Sequence, residues 1–348
     1  MATEYGDITP RTAAYAVTEL LKRGMPYLVI EKFGQTYPLL TKSTKVAKFR
    51  RYFLSGATGA AGAGTAAPGN SPAWSIPLAT TPLVEGVTPT GRTLANQDYT
   101  VTLSQYGDFT TITDVVTDTH EDPVLAIATE VLGESAALTI ETIRYNVIKA
   151  GTNVFYANGS ARTSVNTVLT LAMQRQITTA LNRQNAKKIT NVVRSTPAYR
   201  TEPVEAAYIG LVHPDLDTDI RTMSGFIPTK QYGTVTPWEN EIGAVEQVRY
   251  LNSTVFTPFA DGGGLKGAMR STTGTNADVY PVLYIARDAY GIVPLKGKSA
   301  LTPIVHNPGS SGATDPLNQR GTVGWKAYQA AVILNDAWMA RGEVAATA

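Results

Sequence analysis

The stretch DPVLAIATEVLGESAALTIETIRYNVIKAG, residues 122–151, decides how this chain folds. Apolar residues recur in it at spacings of three and four, which is one face of an α-helix: Leu125, Ala128, Leu132, Ala136, Ile140, Ile143 and Val147. Asp122 is an N-cap acceptor, Pro123 suits the first helical position, and Gly151 follows the last turn. The pattern predicts one helix over about 123–150, roughly 40 Å long at 1.5 Å per residue.

Two interpretations of this helix are compatible with its sequence. It is much longer than the roughly 11–12 residues usual in compact domains. It is therefore either a core helix of a large α+β domain or a spine along which loops, a sheet and a second lobe are arranged. Gly133 in its middle costs about 1 kcal/mol relative to alanine, so a slight bend is expected there.

The length and composition exclude several kinds of protein. A chain of 348 residues can bury a good core and is expected to form two lobes. Only 17% of its residues are charged, so Thr, Gly, Ala and Asn must cover much of the surface, as they do where subunits meet. Cysteine is absent, which excludes disulfides and thiol chemistry. There is no long apolar run and no basic-then-apolar start, so we expect a soluble chain made inside the cell.

Charges of opposite sign are grouped along the chain. Residues 1–54 and 166–200 are predominantly basic, whereas residues 55–121 and 201–260 are predominantly acidic. Such blocks suit complementary faces that meet between copies of one chain. The alternative is that each block is simply a solvated face.

A projecting β-hairpin is predicted before the long helix. Residues 42–54 form a strongly basic strand, and residues 98–114 alternate as a second strand with an irregularity at Gly107. The basic strand suits either nucleic-acid binding or, as we favour, an edge strand whose lysines deter pairing. A two-stranded hairpin is marginal in water, so we expect it to need another surface to lie on, such as that of a neighbouring subunit.

The hairpin tip is a long segment of low complexity. Residues 55–95 are first rich in Gly and Ala and then rich in Pro. Gly62 to Ala67 fits the G-x-G-x-x-A pattern of dinucleotide sites, but Pro68 and Pro72 prevent the helix that must follow such a loop. A nucleotide site is therefore not predicted here.

The second half of the chain predicts α/β structure. Residues 167–189 form an amphipathic helix, whose far face carries Arg175, Arg183, Lys187 and Lys188. That face is either solvated or directed at nucleic-acid phosphates. Strands are predicted at residues 206–212, 245–251, 279–287 and 292–295, and residues 322–346 are predicted as two strands joined at Asn335 and Asp336.

No catalytic, cofactor-binding or metal-binding constellation is recognisable. His120, His213 and His306 lie far apart and lack the spacing of metal ligands or of a catalytic triad. Residues 215–219 have a D-x-D-x-D pattern, but they lack the glycine of a calcium loop, so acids at a helix start explain them better. We therefore expect a protein that is not an enzyme and needs no cofactor.

Several stretches together resemble one known family. They are YGDITPRTAAYAVTELLKRG (5–24), EKFGQTYPL (31–39), LVEGVTPTGRTL (83–94), QYGDFTTITDVVTDTHEDPVL (105–125), RYNVIKAGTNVFYANG (144–159), RQNAKKITNVVRSTPAY (183–199), TNADVYPVLYIARDAYGIVPLKG (275–297) and GTVGWKAYQAAVILNDAWMARGEVAA (321–346). In number and order they resemble tailed-phage major capsid proteins with the Hong Kong 97-type fold. Within that fold they are most similar to the coliphage N-four-like major capsid family.

The resemblance implies an α+β Hong Kong 97-like capsid fold with four parts. These are an N-terminal arm (1–47), an E-loop hairpin (48–112), a P-domain with the spine helix (113–199 and 321–348) and an α/β A-domain (200–320). It further implies pentamers and hexamers that close into an icosahedral virion capsid around double-stranded DNA, assembled in the host bacterial cytoplasm. Portal and scaffolding proteins, and a decoration protein, are the expected partners.

The resemblance also directs attention to residues for contacts between subunits. The candidates are Arg50, Arg51, Trp74, Glu85, Asp98, Asp108 and Asp114. Residues 57–80, which include Trp74, are longer and richer in Gly and Ala than expected for an E-loop of this family. An encapsulin-like compartment that encloses cargo protein is the alternative function, and a free-standing enzyme is a more distant one.

Overall fold

The computed structural model describes residues 27–42, 44–54, 82–88, 91–119, 124–190, 206–232, 237–295, 301–306, 317 and 319–348. The α-helices are α1 (Asp114–Thr119), α2 (Val124–Lys149), α3 (Leu171–Arg183) and α4 (Asp217–Arg221). The strands are β1 (Gln35–Thr36), β2 (Val46–Leu54), β3 (Leu94–Thr102), β4 (Ser104–Thr113), β5 (Val154–Tyr156), β6 (Tyr208–Val212), β7 (Phe226–Pro228), β8 (Glu241–Val245), β9 (Val248–Asn252), β10 (Tyr280–Ile285), β11 (Tyr290–Ile292), β12 (Leu301–His306), β13 (Arg320–Gln329), β14 (Ala331–Ile333) and β15 (Met339–Val344). The fold is mixed α+β.

The long helix predicted from the sequence is α2, and it continues through Gly133 without a break. The predicted cap residues Asp122 and Pro123 lie outside the described residues. In its first half, α2 buries Leu132 and Ala136 against the three-stranded sheet β12-β13-β4. This packing places β13, which comes from the C-terminal part of the chain, against the helix.

A seven-stranded sheet forms the centre of the molecule, in the order β5-β15-β10-β6-β9-β8-β7. Its strands are buried on both faces, so apolar residues follow one another without alternation. In β6, Tyr208 and Val212 pack into the core beside α3, whereas Ile209 and Leu211 pack on the opposite side. The end of α2 packs on that opposite side through Tyr145. The sheet therefore separates α3 from α2.

The hairpin differs from the prediction in where its second strand ends. Among the described strands, β2 pairs with β3 only, whereas β4 pairs with β13 along its whole length. The predicted single strand over 98–114 is therefore wrong. The inward-facing apolar residues do not keep one alternating pattern over this range. Tyr99 and Leu103 face inward at odd-numbered positions, whereas Ile112 faces inward at an even-numbered position. The pattern changes at Leu103, a buried residue that separates β3 from β4 in the sequence.

The inner face of the hairpin packs on its own chain. Ala47 and Phe49 of β2 join a core with Leu39, Val293 and Leu334. The surface that the hairpin was expected to need is therefore supplied on this face by its own chain, and not by a neighbouring subunit. The sequence did not show this, because the partner residues lie up to hundreds of positions away along the chain.

Three predicted elements in the second half are also corrected. The helix over 167–189 is the shorter α3, because Thr170 caps its start and Asn185 adopts a left-handed conformation after its end. The strand over 245–251 is a hairpin of β8 and β9 that turns at Glu246, which also has a positive φ. Residues 322–346 form three strands and a short 3₁₀-helix.

A buried carboxylate in α2 holds the segment that precedes β1. Glu141 Oε1 accepts hydrogen bonds from the backbone N–H groups of Val29 at 2.9 Å and Ile30 at 2.7 Å. One turn later, Arg144 donates to Glu31 at 2.9 Å and to Gln329 of β13 at 3.0 Å. Burial raises the pKa of Glu141 to about 7, despite its hydrogen bonds and the nearby Arg144.

This burial predicts a pH-dependent stability. An unfolded glutamate titrates near 4.5, so the Glu141 contribution is fully present below that pH and is lost as the pH rises to about 7. Because one pKa unit corresponds to 1.36 kcal/mol, the loss is on the order of 3 kcal/mol. Glu141→Gln keeps an acceptor but cannot ionise. We therefore expect the Glu141→Gln variant to become more stable than the unmodified chain as the pH rises from 5 to 8. Urea unfolding across this pH range measures the difference.

A control separates charge from hydrogen bonding. Glu141→Leu leaves two backbone N–H groups without their acceptor, so it should destabilise the fold by about 2–4 kcal/mol at every pH. If the glutamine variant and the unmodified chain lose stability in parallel across the range, the buried-carboxylate explanation is contradicted.

Candidate assembly surfaces

Two of the candidate contact residues pair with each other in the structure. Arg50 of β2 and Asp98 of β3 stand directly opposite in the hairpin register. The guanidinium binds the carboxylate through two hydrogen bonds of 2.7 and 2.8 Å, and these bonds lower the pKa of Asp98. Both side chains lie on the outer, solvent-facing side of the hairpin. A neighbouring subunit would therefore meet a neutralised pair there, flanked by the exposed Lys48 and Tyr52.

Arg51 points to the other side of the hairpin. Its guanidinium lies 5.3 Å from the ring centre of Trp338, which is a cation–π contact within the same chain. Burial lowers the pKa of Arg51, and the nearby Tyr99 side chain opposes that shift. Arg51 thus attaches the hairpin to the body of its own subunit.

Glu85 lies in an exposed turn. The sequence predicted Glu85 as a contact residue but did not draw attention to the apolar residues beside it. In residues 82–88, the Val87 N–H donates to the Val84 carbonyl at 3.2 Å, and Leu83, Val84 and Val87 are all exposed. The turn therefore presents an acid and three apolar side chains together at the surface. Trp74 lies outside the described residues.

The acidic candidates do not share one strand face. Asp98 belongs to the hairpin, whereas Asp108 lies in β4 and Asp114 begins α1. Asp108 accepts a hydrogen bond from the Phe109 N–H, and Asp114 accepts one from the Val115 N–H, each at 2.8 Å. Asp114 therefore has a local structural role at the start of a helix.

A further surface emerges on the side of the β12-β13-β4 sheet that faces away from α2. Phe109 is 68% exposed there, next to a concavity of about 590 Å³ that Ile304, Gly324 and Lys326 also line. Gly324 has no room for a side chain, because an added Cβ would lie 2.8 Å from Phe109 Cβ. The signal available in the sequence was a glycine within each strand, at Gly107 and Gly324.

The four candidate DNA-facing residues are not arranged on one helix face. Arg175 and Arg183 belong to α3, whereas Lys187 and Lys188 follow its end. Arg175 is largely exposed and bonds to Glu246, with Nε 3.0 Å from Oε1, and this contact lowers the pKa of Glu246. Lys187 is exposed and Lys188 is half-buried. The positive surface is therefore partly neutralised by its own chain.

Buried ion pairs that the sequence did not reveal have structural roles. Arg249 Nη2 lies 2.6 Å from Glu241 Oε2, the Tyr232 hydroxyl also donates to Glu241, and both charged side chains are almost fully buried. Arg162 binds the fully buried Glu343 through two hydrogen bonds of 2.8 Å. Each pair satisfies charges inside the fold.

The described part of the chain was also searched for metal and membrane features. Within it, no three His, Cys, Asp or Glu side chains are grouped to hold a metal ion. None of its helices combines the length and the apolar character that crossing a bilayer requires. His213 accepts a hydrogen bond from the Asp215 N–H at the start of a 3₁₀-helix, and burial lowers its pKa. His120 lies outside the described residues.

Solved phage capsids have the same fold as this chain. The capsid of Ralstonia phage GP4 is similar with a TM-score of 0.60 at 11% identity, covering 90% of this chain and 87% of the other. The cyanophage Pam1 capsid has a TM-score of 0.58 at 13% identity, with 94% and 93% covered. The cyanophage P-SCSP1u capsid has a TM-score of 0.55 at 13% identity, with 92% and 88% covered.

The sequence itself also matches a family. No curated protein matches the chain. The model of the phage capsid protein family, however, matches residues 96–342, which is well over half of the 348 residues. This chain therefore belongs to the phage capsid protein family.

Proposed function

We propose that this chain is the major capsid protein of a tailed phage. Copies of it form the pentamers and hexamers of an icosahedral shell that encloses double-stranded DNA. The observation that carries the proposal is the phage capsid family match over residues 96–342. The likeness to solved capsids along nearly the whole chain supports the same fold. Within the tailed phages, we assign it to the coliphage N-four-like family.

We propose a division of the chain into four structural parts. We assign residues 1–47 to an arm, 48–112 to an E-loop, 113–199 with 321–348 to a P-domain, and 200–320 to an A-domain. In this assignment α2 is the spine helix of the P-domain. β15 of the P-domain pairs with β10 of the A-domain along six residues. The two domains therefore share one sheet and would move together in a shell.

The outer face of the hairpin and the turn at residues 82–88 are the surfaces we assign to contacts between copies. They are solvent-exposed in the isolated chain, and the turn has apolar side chains around Glu85. We assign Arg175, Arg183, Lys187 and Lys188 to the DNA-facing surface through non-specific attraction to phosphates. The other expected partners are portal and scaffolding proteins and a decoration protein, and assembly takes place in the bacterial cytoplasm.

The function can be tested with the chain expressed alone and purified. Electron microscopy, with the size distribution followed by light scattering, should show closed shells tens of nanometres across or rings of five-fold and six-fold symmetry. Rings without shells would indicate that a scaffold is needed. A folded monomer that stays monomeric at every salt concentration would overturn the proposal. Shells that contain protein cargo instead of DNA would favour the encapsulin-like alternative.

A charge reversal tests the assigned contact at residues 82–88. Glu85→Lys should weaken assembly and change its salt dependence, because the acid is expected to face basic residues of a neighbouring copy. Asp118→Lys is the matched control, since Asp118 is an exposed acid of α1 outside the assigned contacts. Sedimentation of both variants across a salt series measures the effect. If the two variants assemble alike, Glu85 makes no such contact.

A further inference from the structure

Three cationic side chains from distant segments meet at the C-terminal end of α2. Lys149 is the last residue of that helix, Arg162 begins a 3₁₀-helix after β5, and Arg341 lies in β15. Lys149 Nζ lies 4.5 Å and the Arg162 guanidinium carbon 3.5 Å from the ring centre of Phe259. Arg341 donates a hydrogen bond to the Lys149 carbonyl oxygen. These three cations are hereafter the Lys149 cluster.

The described carboxylates only partly balance this cluster. Glu343 is fully buried and accepts two hydrogen bonds of 2.8 Å from Arg162. The same carboxylate lies 2.9 Å from Arg341 Nε. The carbonyl end of α2 adds roughly half a negative charge, which Arg341 meets through its bond to the Lys149 carbonyl. Three positive charges are therefore in contact with about one and a half negative charges.

Lys149 is the cation of the cluster that lacks a counter-charge. Within the described residues, its ammonium group has no carboxylate within 4 Å and no hydrogen-bond acceptor. Its contacts are the ring of Phe259 and the ring of Tyr145, whose centre lies 4.9 Å from Nζ. Burial lowers the pKa of Lys149, and the nearby Arg162 and Arg341 lower it further. Ionisable groups that are perturbed in this way cluster at functional sites.

We propose that the Lys149 cluster binds a phosphate group. A phosphate carries roughly one to two negative charges at neutral pH and several acceptor oxygens, which match the uncompensated charge of the cluster. The Lys149 ammonium supplies up to three N–H donors. The site is accessible, since Lys149 is half-buried and the Arg162 side chain is 34% exposed.

Two sources can supply this phosphate. One is free inorganic phosphate, and the other is the backbone of nucleic acid. The second source rests on the proposed function, because a capsid shell places its subunits beside packaged DNA. The first source does not depend on that function, so the two are measured separately.

Titration calorimetry of the purified full chain with inorganic phosphate, at constant ionic strength, tests the site. Lys149→Met removes the ammonium group but keeps an unbranched side chain beside the two rings, and it leaves Glu343 paired with Arg162. It should weaken phosphate binding roughly tenfold, because one charge-assisted contact is lost. Lys149→Arg keeps the charge and should retain most of the binding. Lys230→Met is the matched control, since Lys230 is an exposed lysine beside β7, at the opposite edge of the seven-stranded sheet from β5.

A short DNA duplex separates the two sources. If nucleic acid occupies the cluster, Lys149→Met should weaken duplex binding and reduce its salt dependence more than Lys230→Met does. If the two variants bind the duplex alike while phosphate binding still depends on Lys149, the ligand is free phosphate. The phosphate measurement needs no closed shell, so its failure is distinguishable from failure of the proposed function.

Stability in phosphate-free buffer is the control for folding. Lys149→Met should be at least as stable to urea there as the unmodified chain, because the substitution removes repulsion between like charges. A variant that is destabilised without phosphate would overturn the proposal, since Lys149 would then have a structural role through its ring contacts. Equal phosphate affinity in Lys149→Met and Lys230→Met, or acetate binding as tight as phosphate binding, would also overturn it.

Discussion

The interaction on which the rest of the structure depends is the buried contact of Glu141 with the backbone of Val29 and Ile30. Removing a carboxylate from water is costly unless donors meet it, and here two backbone N–H groups do so. Arg144, one turn further, extends the contact to Glu31 and to Gln329 of β13. A short part of α2 thereby joins the beginning of the chain, the long helix and the returning C-terminal strand.

This arrangement makes one body from segments that are distant in sequence. α2 packs on the β12-β13-β4 sheet with its first half and on the seven-stranded sheet with its end. β15 enters the second sheet beside β10, so the C-terminal segment contributes to both sheets through β13 and β15. Several surfaces of this body remain exposed, among them the hairpin face, the turn around Glu85 and the concavity beside Phe109. Such distributed surfaces are what a closed assembly of identical subunits requires.

The sequence predicted what depends on local pattern. The three-and-four spacing of α2 and the buried strand over 206–212 were predicted because periodicity records which face is apolar. The division of 98–114 into two strands was missed, since it depends on β13, which lies about two hundred residues later. The pairing of Arg50 with Asp98 needed the hairpin register, which the sequence does not specify. Glu141 was missed because a glutamate in a helix is normally solvated, and only the fold buries it.

The most direct test of the account is a cryo-electron microscopy reconstruction of the particle that this chain forms. The account predicts copies arranged around five-fold and six-fold positions of a closed shell. It also predicts that the outer face of each β2–β3 hairpin and the turn at residues 82–88 lie against a neighbouring copy. A reconstruction in which these surfaces face solvent in every copy, or in which the chain forms no closed particle, would contradict it.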